Sequence, residues 1–179
     1  MTQEVENRIT IAPSASVCKH AILIGDVTIG DNTVLHPTAK IVAVNGPVFI
    51  GENNILEERC VVENTSTDGG PLLIGDHNIF AVRSEIRGKL IGDKNVVGVC
   101  GRVENAAIVT NGCTISAKGV VCEGHVIEPN TVVYKSSNEE RKSLEISRDT
   151  TSQIELLKRQ LRSYHYMQKS SVPADSTVA

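Results

Sequence analysis

Apolar residues recur along this chain every six positions. Counting from Ile11, the steps fall on Val17, Leu23, Ile29, Leu35 and Ile41. Three inserted residues at 45–47 shift the count, which resumes at Ile50, Leu56 and Val62. One step then lands on Asp68, inside a turn-like run, before Ile74, Phe80 and Ile86 recover the phase unaided. After a one-residue deletion come Ile91, Val97, Val103, Val109, Ile115, Val121, Ile127 and Val133. A period of six suits neither an amphipathic helix nor a long half-buried strand. It suits a short strand, a corner and another short strand. Three such sides close one coil of 18 residues, and stacked coils with ladder hydrogen bonds bury the anchors in aliphatic columns. The twenty anchors predict an all-β solenoid of six to seven coils over 11–134.

The residues between anchors repeat as well. Ile-Gly-acidic-x-Thr/Asn occurs at 29–33, 50–54, 74–78 and 91–95. Gly and Asn are expected to supply the left-handed backbone that corners require. The fourth residue after an anchor is often small, as at Ala15, Ala21, Ala39, Cys60, Ala107, Cys113 and Gly119. A large side chain there would crowd the inside of a corner.

The pattern ends near Tyr134. A polar N-terminal segment, 1–10, precedes it and has no secretory character. A polar connection is expected at 135–148, then an amphipathic helix at 149–168. In that helix Ile154, Leu157, Leu161 and Tyr164 form one apolar stripe, expected to pack on the solenoid, and Ser152 with Glu155 forms a candidate capping box. The last residues, 169–179, are small and polar and read as a disordered tail.

Composition agrees with this division. Val supplies 22 residues and Ile 17 against 10 Leu, while only three Tyr, two Phe and no Trp are present. β-Branched side chains favour extended backbone. A net charge of −3 argues against a general nucleic-acid or anionic-membrane binder. Five Cys without a Cys-x-x-Cys pair fit reduced thiols in a cytosolic protein.

The hexads resemble those of the hexapeptide-repeat superfamily of left-handed parallel β-helices, and the resemblance, rather than any general crossover rule, implies the left hand. It also implies two enzyme classes to test, acyltransferases and γ-class carbonic anhydrases. The anhydrases hold a metal with three histidines, two of them close together. Here the histidines are His20, His36, His77, His125 and His165, at least 16 residues apart. Cys60, Cys100, Cys113 and Cys122 show no short ligand spacing either. An acyltransferase needs a general base, for which His36 and His125 are the candidates, but lone histidines read as corner or solvent-facing residues. Asp26, Asp31, Glu52, Asp76 and Asp93 recur beside Gly and read as turn residues. No catalytic, cofactor-binding or metal-binding residue is therefore assigned; a divergent enzyme of the two classes is the alternative reading.

The order of features narrows the resemblance. Ile-Gly-Asp-Val-Thr-Ile-Gly at 24–30 leads to Val-Leu-His-Pro at 34–37 and Asn-Gly-Pro-Val-Phe-Ile-Gly at 45–51. Val-Ile-Glu-Pro-Asn-Thr-Val-Val-Tyr follows at 126–134, and the helix closes on Leu-Arg-Ser-Tyr-His-Tyr-Met at 161–167. Together these resemble the small β-helical subunits of the dynactin pointed-end complex. That resemblance implies a non-enzymatic, cytoplasmic, cytoskeleton-associated subunit supporting dynein-driven microtubule transport and cargo attachment. Its implied partners are dynactin subunit 5, dynactin subunit 4 and the pointed-end actin-related protein. Thr65, Thr67, Asp68 and Pro71, in the polar loop that interrupts the hexads, are the candidate partner-binding residues. The unpaired rims of a solenoid are the second candidate contact, since open strand edges call for a cover.

Overall fold

The computed structural model describes residues 7–135, 139–143 and 150–169. The chain winds into a left-handed parallel β-helix of about seven coils, followed by one helix, α1, at Thr151–Tyr164. Apart from two longer strands, each hexad contributes a strand of two to four residues, and like positions of successive coils pair in parallel register. One column of anchors runs Ile11–Ile29–Ile50–Ile74–Ile91–Val109–Ile127. A second runs Val17–Leu35–Leu56–Phe80–Val97–Ile115–Val133. A third runs Leu23–Ile41–Val62–Ile86–Val103–Val121. We call the three sides faces A, B and C. Two longer strands, Ile22–Ile29 and Lys40–Ile50, run through the corner from face C into face A and join these faces into one eleven-stranded sheet.

All twenty anchors belong to one core, and nineteen are buried. Leu23 is the half-buried one. It begins the face C column, so only Ile41 covers it among the described residues.

The motif residues divide their labour differently from the expectation. In 29–33, 50–54, 74–78 and 91–95 the left-handed conformation belongs to the fourth residue: Asn32, Asn53, His77 and Lys94 have φ of 55–59°. Gly51 and Gly75 are required instead by close approach. A Cβ on Gly51 would lie 2.8 Å from the Gly75 carbonyl oxygen, and one on Gly75 would lie 2.9 Å from that of Gly92. The fifth residue turns inward. Thr33, Asn54, Asn78 and Asn95 are fully buried and form a ladder along the A–B corner. Asn54 Oδ1 accepts from the Asn78 amide at 2.8 Å, Asn78 Oδ1 from Asn95 at 2.9 Å, and Asn95 Oδ1 from Cys113 at 2.8 Å. The corresponding B–C corner takes the small residues Ala21, Ala39, Cys60, Ser84, Gly101 and Gly119, all buried.

Within the stretch read as a connection, Glu140–Lys142 forms a strand antiparallel to Thr131–Val133. Arg141 also stacks over the Tyr134 ring, 5.0 Å from its centroid. Residues 136–138 and 144–149 of that stretch, 1–6 of the N-terminal segment and 170–179 of the tail lie outside the described residues.

Helix α1 starts two residues earlier than the Ser152 capping box would place it. Thr150 is its N-cap and makes no side-chain cap bond. Its hydroxyl is engaged by the solenoid, 3.2 Å from His77 Nδ1 and 3.4 Å from the Asn53 carbonyl oxygen. The helix ends where His165 becomes extended, short of residue 168. Ile154 and Leu161 are buried against Val34 and Ile55 of face B, with Leu157 half-buried beside them. Tyr164 does not complete the stripe; at the last helical position it is 81% exposed. Leu157→Asp is therefore expected to cost about 1–3 kcal/mol, and Tyr164→Asp within ~0.5 kcal/mol of nothing. Urea unfolding of the two variants checks this; equal losses would refute the placement.

Candidate functional site

The side chains that could support catalysis are dispersed over the solenoid. His20 is exposed at the first B–C corner, His77 is tethered to Thr150, and His125 sits at a late C–A corner. His165 follows α1. His36 is a corner histidine, as expected, but a buried one: it lies at a B–C corner, with Nδ1 3.0 Å from Glu58 Oε1. Its Nε2 is buried without a hydrogen-bond partner. Burial alone would raise the Glu58 carboxyl, but the His36 hydrogen bond, a backbone hydrogen bond and the nearby His36 and His165 charges together outweigh it and hold this carboxylate below its usual range. No three His, Cys, Asp or Glu among the described residues converge closely enough to hold a metal ion.

Two of the thiols are held unreactive by burial. Burial, assisted by the Glu58 charge, pushes Cys18 up to about 11, and burial pushes Cys60 up to about 12. The reactive species is the thiolate. Native iodoacetamide labelling at pH 8 is expected to modify Cys18 and Cys60 at least ~10-fold more slowly than the partly exposed Cys100 and Cys122. Peptide mapping reads the order, and equal rates would contradict the burial.

Two features of the surface are built rather than incidental. The first is the polar loop. Asn64, buried at its base, donates through Nδ2 to the Pro47 and Gly70 carbonyl oxygens at 2.9 Å and accepts from the Ser66 amide through Oδ1. Asp68 accepts from the Ser66 hydroxyl and from the Gly70 amide, and these two bonds hold its carboxyl below the usual range. The loop borders a cleft of about 240 Å³ that also reaches Arg87, Lys89 and Glu123. Arg87 is held by Glu63 at 2.9 Å and Glu85 at 3.0 Å. Of the four candidate contact residues, Thr67, Asp68 and Pro71 are exposed. Thr65 is half-buried, and its hydroxyl bonds the Asn105 side chain at 3.1 Å, fastening the loop to the solenoid.

The second feature is the pair of rims, of which the chain covers both edges of face B among the described residues. At the C-terminal end Glu140–Lys142 covers the last strand of face B. At the N-terminal end the segment after α1 covers the first: Met167 bridges Cys18, Lys19 donates to the Tyr166 carbonyl oxygen at 2.7 Å, and Gln168 donates to that of Val17 at 2.7 Å. The chain thus seals both edges of face B. On face A, Arg8–Ile11 and Val126–Ile127 each pair with a described strand on one side only. Sequence reasoning foresaw rims in need of a cover but not these two covers, because the covering strand and bridge carry no hexad signal.

Comparison with known proteins places this geometry. Protein-family models give no match. Dynactin subunit 6 of Caenorhabditis elegans is 39% identical over 159 residues, covering 89% of this chain and 88% of that one. The Xenopus tropicalis protein of the same name is 37% identical over 172 residues, covering 91% and 86%. The chain belongs to the dynactin subunit 6 family. A more distant likeness, 27% over 162 residues and 65% of its partner's length, is to a carbonic anhydrase of Methanosarcina thermophila. Among solved structures, a candidate acetyltransferase of Bacillus cereus superposes with a TM-score of 0.70 at 20% identity, covering 87% of this chain and 88% of that one. At that identity the likeness is one of fold.

Proposed function

We propose that this chain is a non-catalytic subunit of dynactin, seated in the pointed-end subcomplex and supporting dynein-driven transport and cargo attachment from the cytoplasm. The observation that carries the reading is the match to dynactin subunit 6 proteins over about nine-tenths of the chain. The dispersal of the histidines supports it, since acyl transfer and hydration of carbon dioxide each need convergent groups. Its partners are dynactin subunit 5, dynactin subunit 4 and the pointed-end actin-related protein. One end of the solenoid stacks against the neighbouring β-helix, pairing strand edges as adjacent coils do. The loop at 65–71, with Thr67, Asp68 and Pro71 outermost, is a lateral contact.

Sedimentation of a cell extract containing the tagged full chain tests this. The chain is expected to travel with the large dynactin assembly and to copurify with the three named subunits. Migration as a free homotrimer, with carbon dioxide hydration or acyl transfer at enzyme-like rates, would overturn it. A cross-linking map of the assembled complex with neither rim near a partner would defeat the stacking.

A further inference from the structure

One side of the solenoid carries an apolar surface that nothing in the chain covers among the described residues. On face A the residue before each anchor points outward. Phe49, Leu73, Leu90, Ile108 and Val126 stand there directly above one another, paired in register through five successive coils. Phe49, Leu73, Leu90 and Val126 are 42, 42, 38 and 54% exposed. With coils about 4.8 Å apart, the row is about 19 Å long. A continuous row of large apolar side chains in water marks a contact surface more than a scatter of single ones would.

The same protein shows what such a row accepts. On face B the equivalent outward positions are Val34, Ile55 and Ile79, also stacked in register. There α1 lies over the row, burying Ile154 and Leu161 against it, and Val34 and Ile55 lose all exposure. The helix also reaches the adjacent A–B corner with a cation: Lys158 Nζ donates to Asn32 Oδ1 at 2.9 Å. The face A row has the same corner along its edge. Three residues after Phe49, Leu73 and Leu90 come Glu52, Asp76 and Asp93, a column of carboxylates parallel to the row. The opposite corner carries Pro47, Pro71 and Lys89 at the same coils.

We propose that face A docks an amphipathic helix of a partner subunit, whose apolar ridge covers Leu73 and Leu90 and whose basic edge faces Glu52, Asp76 and Asp93. A helix of about 13 residues matches the length of the row at 1.5 Å per residue, close to the 14 residues of α1. The acidic column fixes the charge of the partner's edge, and a helix of the opposite polarity would set like charges side by side. This contact lies on a lateral face and is separate from the rim stacking.

A photoactivatable benzoylphenylalanine at position 73 or 90 of the full chain, expressed in cells, tests it. Irradiation is expected to cross-link a peptide of another protein with apolar residues three and four apart and Lys or Arg along one edge. Leu73→Glu with Leu90→Glu is expected to reduce recovery of that protein at least ~10-fold while moving Tm by no more than ~2 °C. Ile22→Glu, exposed on face C, is expected to leave recovery unchanged. A cross-link to an extended peptide, to a second copy of this chain, or to no protein at all would overturn the proposal. Should the chain travel outside dynactin yet cross-link such a helix, the docking surface stands and the dynactin assignment falls.

Discussion

Phe80→Ala is expected to destabilise the solenoid by about 3–5 kcal/mol. Phe80 is fully buried in the fourth coil, between Leu56 below and Val97 above. It is the one aromatic ring in an interior otherwise built of aliphatic anchors. Its neighbours belong to rigid ladders whose spacing is set by backbone hydrogen bonds, so they cannot close over the gap. The cost then includes the cavity as well as the lost transfer energy. Position matters in addition to size. Each coil of a solenoid touches only its neighbours, so a weak coil in the middle also weakens the coupling between the two ends. Urea unfolding is expected to show a lower midpoint and a shallower transition, with the three N-terminal coils melting before the rest. Phe80→Leu keeps most of the volume and is expected to cost less than half as much. A loss below ~1 kcal/mol for the alanine variant would mean that the columns relax in a way the register does not allow.

The anchors were legible because a period of six has no competing explanation in this chain, and each hit reports a strand directly. Leu23 shows the limit: periodicity identifies the inward position but not whether another coil covers it. The motif glycines were legible as special but assigned to the wrong constraint. Residue type alone does not distinguish a left-handed backbone from a carbonyl oxygen less than 3 Å from the missing Cβ, whereas Asn32, His77 and Lys94 take up the positive φ. The surface was less legible. Tyr164 continues the helical spacing of Ile154 and Leu161, yet the helix ends there and the solenoid does not reach it. Phe49, Leu73, Leu90, Ile108 and Val126 follow the same period as the anchors, one residue earlier, so the face A row was present in the pattern. It was masked because attention to inward positions treats their neighbours as solvent-facing by default. The bridge from Met167 to Cys18 joins residues 149 apart in sequence and leaves no local trace.

Asn54→Ala is expected to cost about 2–4 kcal/mol, although it removes only an amide. The Asn54 side chain is fully buried and bonds twice to the next coil. Its Nδ2 donates to the Gly75 carbonyl oxygen at 2.8 Å, and its Oδ1 accepts from the Asn78 amide at 2.8 Å. Truncation leaves the buried Asn78 amide without its acceptor and takes a donor from Gly75, and each buried polar group so orphaned costs about 1–3 kcal/mol. The column itself supplies the rescue. One coil earlier, Thr33 does the same work with a hydroxyl, donating to the Gly51 carbonyl oxygen at 2.7 Å and accepting from the Asn54 amide at 3.2 Å. Asn54→Thr is therefore expected to retain all but about 1 kcal/mol. One coil later the amide is less well used: Asn78 Nδ2 is buried with no acceptor. Asn78→Thr, which removes that orphan donor and keeps an acceptor for the Asn95 amide, is expected to be neutral or stabilising by up to ~1 kcal/mol. Thermal and urea unfolding of the three variants distinguish the hydrogen-bonding ladder from simple corner filling. If Asn54→Ala and Asn54→Thr lose the same stability, volume governs the corner and the ladder contributes nothing.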